Sequence, residues 1–289
     1  MNEDAAGREE RDAASGTDRR WTALVLAAGR GPDDPMARAF GVRHKCLLEV
    51  GGRPMLTRVV EALLASPRIA GIAVVIDDAD AAGRALADLP PAALRRVRIL
   101  PAADSAAASV LAAVERHGLA LPLLVTTADH ALLDAAMLEH FLATASRSPA
   151  DLVLALARRE TVEAAFPHMR RTWMPLGGEA VTSCNLFALL RPPALRAVAF
   201  WRSAEKDRKR PWRIALRFGL SALLRMLLSR RGTRHVVAMA GRRLGLRADV
   251  VFMPMATAAL DVDRPQDLEL ARDILASRET TEKEKRENP

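Results

Sequence analysis

The chain has 289 residues, half of them hydrophobic, which suits one large α/β domain with an elaboration better than two independent domains. Its two cysteines, Cys46 and Cys184, exclude a disulfide framework or a cysteine zinc cluster and fit a reducing, cytoplasmic setting. The formal net charge is +8, yet residues 200–247 hold fourteen Lys or Arg against two acids, so a nucleic-acid or membrane reading rests on that segment alone.

Residues 1–20, MNEDAAGREERDAASGTDRR, mix both charges with small residues, lack the apolar core of a secretion signal and are expected to be a disordered lead-in. Trp21 to Ala28 is a continuous apolar run of the kind found in parallel sheets covered on both faces, and it stops abruptly in Ala27-Ala28-Gly29-Arg30-Gly31. Glycines there let backbone N–H groups approach a ligand closely. A dinucleotide fingerprint is disfavoured, because positions 29 to 34 read GRGPDD and Pro32 and Pro35 stop a helix from starting at once. The loop instead stays open for about a dozen residues past Arg38, Arg43, His44 and Lys45, and closes in Gly51-Gly52-Arg53-Pro54.

Met55 to Ala65 has helical spacing, and Ile69 to Ile76 is a second strand ending in Asp77, Asp78 and Asp80. A helix over 79–89 stops at Pro90 and Pro91, a third strand covers 97–100, and Ser105 caps a helix running to His117. Leu121 to Thr127 is a fourth strand that ends in Ala128-Asp129-His130, followed by a helix from about Asp134 to Ala145 and a fifth strand over 151–157. This alternation predicts right-handed crossovers and a mainly parallel sheet, with ligands at the carboxyl ends of its strands. Residues 160–180 read as irregular, 180–189 as a strand carrying Asn185, and about 195–248 as a helical basic insertion. A last strand over 250–255 leads to Leu260-Asp261-Val262-Asp263 and a helix from Pro265 to Ala276. The remaining 278–289 are expected to be a frayed tail, so the folded domain is set at 21–277.

Three stretches carry chemistry. An aspartate at a strand end, Asp129, offers the hard oxygen that Mg²⁺ takes while keeping waters and substrate phosphates; the bland alternative is a helix cap. Asp261 and Asp263 lie on one side of an extended segment, so either could complete such a site, while Pro265 and Asp267 open the next helix. The glycine loop with Lys45 is the third.

Together, LAAGRG, a lysine before an apolar pair, GGRPML, and LDVDRPQDL, which looks like a closing DxDTPEDL motif, resemble the MobA-like NTP transferase family, nucleotidyltransferases of the GT-A-like, Rossmann-related three-layer fold. The resemblance implies transfer of a nucleotidyl group from an NTP to a small-molecule acceptor, of the phosphorylated kind, with release of pyrophosphate and with Mg²⁺ as cofactor. It assigns Ala27, Ala28, Gly29, Arg30 and Gly31 to the nucleotide, Lys45 and Arg30 to phosphate stabilisation, and Asp129 with Asp263, or Asp261, to the metal. Ser105 and Ser109 match a segment that helps recognise the base. Asn185 matches a position facing the acceptor, and His130 is placed to orient the metal carboxylate or a phosphate. The chain departs from the family pattern in its long loop and in having His44 where the family usually has proline.

Cys184 has no neighbouring base in sequence and reads as packing. No span in the basic block is long enough to cross a bilayer, and its aromatics are few for base stacking, so nucleic acid is not expected. Its leucines suit a cover helix, with peripheral membrane contact through 200–247 as the alternative. Two other functional classes fit the sequence: a GT-A glycosyltransferase using a sugar nucleotide, and a non-catalytic nucleotide-binding protein that docks through its basic helices.

Overall fold

The computed structural model describes residues 20–29, 34–206, 219, 224–226 and 228–287. Most of the lead-in, Arg30 and Gly31 of the glycine loop, and the centre of the basic insertion lie outside the described residues.

The elements in order are β1 (Trp21–Leu26), α1 (Pro35–Ala39), a 3₁₀ turn (Lys45–Leu47), β2 (Glu49–Val50), β3 (Arg53–Pro54), α2 (Met55–Ala65), β4 (Ile69–Ile76), α3 (Ala79–Ala85), α4 (Pro91–Leu94), β5 (Val97–Pro101) and α5 (Ala106–Glu115). There follow β6 (Leu123–Thr127), α6 (Ala135–Ser146), β7 (Leu152–Arg158), α7 (Arg159–Ala165), β8 (Met174–Leu176), β9 (Glu179–Leu189), α8 (Ala194–Lys206), α9 (Thr233–Arg243), β10 (Ala248–Phe252), a 3₁₀ turn (Ala256–Ala259) and α10 (Pro265–Glu287).

The main sheet runs β10-β7-β9-β6-β1-β4-β5, with β8 attached to β9. Strands β6, β1, β4 and β5 are mutually parallel, β10 is parallel to β7, and β9 lies antiparallel between β6 and β7. The mainly parallel α/β expectation holds. Val59 and Leu63 of α2 and Leu138 and Phe141 of α6 cover one face, while Val110 and Ala113 of α5 and Ala194 of α8 cover the other. Each large side chain buried this way contributes about 2 kcal/mol relative to exposure. β1 pairs with β4 on one side and β6 on the other, so successive crossovers leave it in opposite directions and a crevice opens at its carboxyl end.

Local chemistry sets the element starts. Asp34, Asp78, Ser105 and Asp134 each accept a backbone N–H as the N-cap of α1, α3, α5 and α6. Such a cap typically contributes about 1 kcal/mol. Gly51 and Gly52 have φ of 57° and 72°, a conformation open to glycine at both centres of the two-residue turn joining β2 and β3.

Three expectations change. The loop after Gly31 is not open throughout: α1 starts at Pro35, because proline at the first helical position loses no hydrogen bond and Asp34 accepts from Met36 and Ala37. Residues 160–180 are less irregular than their polarity suggests, holding α7 and β8, the latter ordered by pairing with β9. The last helix passes Ala276 and runs to Glu287, through the stretch expected to fray. Arg278 anchors it, pairing with Asp134 at 3.2 Å and donating to Thr257 Oγ1 at 3.3 Å, and the Glu- and Lys-rich continuation suits a helix.

Asp151 closes the far corner of the sheet. Its buried carboxylate accepts from Arg247 N at 2.8 Å and from the Arg247 guanidinium at 3.2 Å, and its backbone oxygen accepts from Leu190 N. One residue thereby ties the start of β7 to the end of β9 and to the lead-in of β10. Burial opposes the charged form, but the Arg247 amide and guanidinium outweigh it and hold this carboxyl below its ordinary value. Asp151→Ala should cost about 1–3 kcal/mol in urea unfolding at pH 7. A depressed native pKa stabilises above the unfolded value, so the gap between wild type and variant should close as pH falls below about 4.

Candidate active site

Lys45 lies at the carboxyl end of the sheet, at the start of a 3₁₀ turn whose N-cap is His44. Its Nζ stands 2.8 Å from Asp129 Oδ2 and 2.7 Å from Asp263 Oδ1. Asp129 follows β6, and Asp263 precedes α10, where its own N–H donates to Asp267 Oδ2 at 3.2 Å. Val262 N donates to Asp129 O at 3.0 Å, so the two acid-bearing segments are joined by backbone directly beneath the carboxylates. Partial burial of Lys45 works against its charge, but Asp129 and Asp263 outweigh it and raise its pKa above the ordinary lysine value. Asp129 Oδ1 is buried without a hydrogen-bond partner, an acceptor left with unfilled capacity.

The glycine loop sits beside this cluster. Ala27 is buried, with its N–H donated to Val75 O, while Ala28 is exposed on the crevice rim. The Gly29 N–H does not point outward as the sequence suggests: it donates to Asp77 Oδ1 at 3.0 Å. Ser105 and Ser109 are likewise engaged in holding their own segment. Ser105 caps α5, and the buried Ser109 accepts from Ala103 N at 3.0 Å, which ties the loop after β5 to the helix.

Asp261 and Asp263 do not act as a pair. Asp261 turns to Arg171, with which it forms an ion pair, and accepts from Asn185 Nδ2 at 3.2 Å, so both its oxygens are taken. Burial, helped by the charges of Asp129 and Asp263, raises the Asp261 pKa even against Arg171. This favours Asp263 over Asp261 beside Asp129. Asn185 has a φ of 50°, uncommon outside glycine, and sits where β9 bulges against β7 between Leu154 and Leu156. The bulge aims its amide into a cavity of about 280 Å³ whose wall includes Arg170, Arg171, Thr172, Ser183, Asp263 and Arg264.

His130 is 1 % exposed, and burial pushes its pKa down to about 4. It is a buried neutral ring next to Asp129, a place that suits the carboxylate-orienting half of the expectation better than direct contact with a substrate. Sequence reasoning passed over Arg171 and the partner role of Asp77. The signal for Asp77 was its position at a strand end; Arg171 follows a polar stretch with no periodicity and carried no signal.

The model of the MobA-like NTP transferase domain matches residues 23–244. The chain belongs to this family. A 2-C-methyl-D-erythritol 4-phosphate cytidylyltransferase of Xanthomonas oryzae pv. oryzae is 36% identical over 153 residues, covering 50% of this chain and 51% of the relative, so the chain spans about half the length of the curated relatives it matches. A hypothetical transferase from Thermus thermophilus superposes with a TM-score of 0.70 at 31% identity, over 86% of this chain and 99% of that one. The 4-diphosphocytidyl-2C-methyl-D-erythritol synthase from Anaerococcus prevotii shares the fold at a TM-score of 0.56 and 14% identity, over 91% of this chain and 99% of the other.

Cys46 and Cys184 are both buried, and burial pushes each thiol up to about 12. Neither is a nucleophile at neutral pH. A thiol reagent at pH 8 should leave both unmodified in the folded protein and titrate two per chain in denaturant.

Proposed function

We propose that the protein is a Mg²⁺-dependent nucleotidyltransferase that moves an NMP from an NTP to a phosphorylated small molecule and releases pyrophosphate. The observation that carries this is the Lys45 ammonium held between Asp129 and Asp263 beside the glycine loop, in a chain of the MobA-like NTP transferase family. The cytidylyltransferase relatives favour CTP as the donor.

The residues fit a magnesium ion: Asp129 and Asp263 are hard oxygen donors, Asp129 Oδ1 lacks a partner, and Mg²⁺ needs only one or two carboxylates when phosphates and water complete its shell. When bound, the ion neutralises phosphate charge and aligns the leaving group. Lys45 donates to non-bridging phosphate oxygens, and its raised pKa keeps it cationic throughout. The acceptor's phosphate oxygen attacks the α-phosphorus as the bond to pyrophosphate breaks in line. No covalent protein intermediate is needed, so positioning and charge stabilisation carry the rate.

The 280 Å³ cavity beside Asp263 is the acceptor site in this reading. Arg171 is neutralised by Asp261, which leaves Arg170 and Arg264 on the rim as the cations that attract a phosphate. The glycosyltransferase alternative expects a DxD just after a central strand, whereas here β6 leads into Ala128-Asp129-His130 and the DxD stands at Asp261 to Asp263, before the last helix.

Lys45→Ala and Asp129→Ala should each lower pyrophosphate release by at least about 10²-fold with the fold retained by circular dichroism. Undiminished release in both variants would contradict the assigned centre. Arg264→Ala should raise the acceptor KM about tenfold and change the KM for CTP little; equal effects on both substrates would place Arg264 elsewhere.

A further inference from the structure

Gly29, His44 and Asp77 come from three separate stretches: the loop after β1, the residue before the Lys45 turn, and the end of β4. They meet on one oxygen. Asp77 Oδ1 accepts Gly29 N–H at 3.0 Å and lies 3.0 Å from His44 Nε2. The other ring nitrogen, Nδ1, accepts the Cys46 N–H at 3.2 Å, so a neutral ring carries its proton on Nε2 and donates it to Asp77.

The packing is equally specific. His44 is buried at 4 % exposure, and a Cβ added at Gly29 would stand 2.9 Å from its Nε2. The three atoms nearest to that Cβ all belong to the His44 ring, so a larger residue at position 29 would press on it. Next door, Arg43 pairs with Asp78 at 3.0 Å across the same gap. Although burial opposes ionisation, the Gly29 amide and His44 outweigh it and hold the Asp77 carboxyl below its ordinary value.

We infer that the Gly29–Asp77–His44 bridge is a positioning device that locks the glycine loop against the segment bearing Lys45 before nucleotide arrives. The inference rests on the nucleotidyltransferase reading above. Its logic is preorganisation: a loop and a lysine from separate stretches otherwise lose conformational freedom on binding, and a bridge built into the apo fold removes that cost. Neither of the two side chains, His44 and Asp77, is needed for the chemistry. Their effect reaches the phosphates through the placement of the loop and of Lys45, the residue after His44. His44 is held at both ring nitrogens, by Asp77 and by the Cys46 amide, and so fixes the residue before Lys45.

The test uses the full chain and two readouts, Gly29 amide exchange by NMR and CTP affinity by calorimetry with Mg²⁺ present. Asp77→Ala should speed Gly29 exchange at least tenfold and weaken CTP about tenfold, raising the CTP KM more than it lowers kcat. Asp77→Asn, which keeps an acceptor oxygen, should restore most of both. Gly29→Ala should weaken CTP in the wild-type background and add little in a His44→Ala background, where the ring that its Cβ meets is gone. Unchanged exchange and affinity in Asp77→Ala, or fully additive effects of Gly29→Ala and His44→Ala, would overturn the bridge while leaving the nucleotide reading intact. A wild-type protein that takes up no NTP would overturn that reading and the bridge's role with it.

Discussion

One ammonium group shared by two carboxylates organises the crevice. Asp129 and Asp263 are 134 positions apart and stand on different elements, and their like charges would repel at this range without a cation between them. Lys45 supplies that cation, and the bond from Val262 N to Asp129 O fixes the distance between their backbones. In the proposed reaction Mg²⁺ would take over the neutralisation of the two carboxylates, which would let Lys45 turn to the phosphates. In the apo fold Asp129 Oδ1 is left without a hydrogen-bond partner, while Asp263 on the other side of the ammonium is largely exposed.

Around this centre several neighbouring polar groups are held by partners within the protein. The Gly29 amide goes to Asp77, Ser109 to the loop after β5, and Asp261 to Arg171 and Asn185. The consequence is a division of labour: few groups are left for the substrate, and the rest hold those few in place. The strained backbone at Asn185 and the bulge in β9 belong to the second kind, since they turn an amide towards Asp261 and open the cavity beside it.

The sequence made the fold class readable because β1, β4 and β6 are continuous apolar runs that end in glycine or aspartate, and because caps such as Ser105 and Asp134 stand where their helices begin. Lys45, Asp129 and Asp263 were legible for a related reason: each sits at an element boundary that the apolar pattern marks. What stayed hidden depends on contacts between distant stretches. Nothing near Asp261 in sequence says that Arg171 will neutralise it, and nothing near Gly29 says that its amide will be claimed from 48 residues away. The α1 start at Pro35 was missed by weighing proline as a breaker where it served as a first residue, and the length of α10 by discounting charged helix formers that follow the anchor at Arg278.

The central claim is that Asp129 and Asp263 form a centre that holds NTP together with Mg²⁺. Its most direct test is the dissociation constant for CTP measured with and without Mg²⁺ in wild type and in Asp263→Asn. The account expects Mg²⁺ to tighten CTP binding to the wild type, and the gain to be largely lost in the variant. CTP binding that is indifferent to Mg²⁺ in the wild type, or a gain that survives intact in Asp263→Asn, would contradict it.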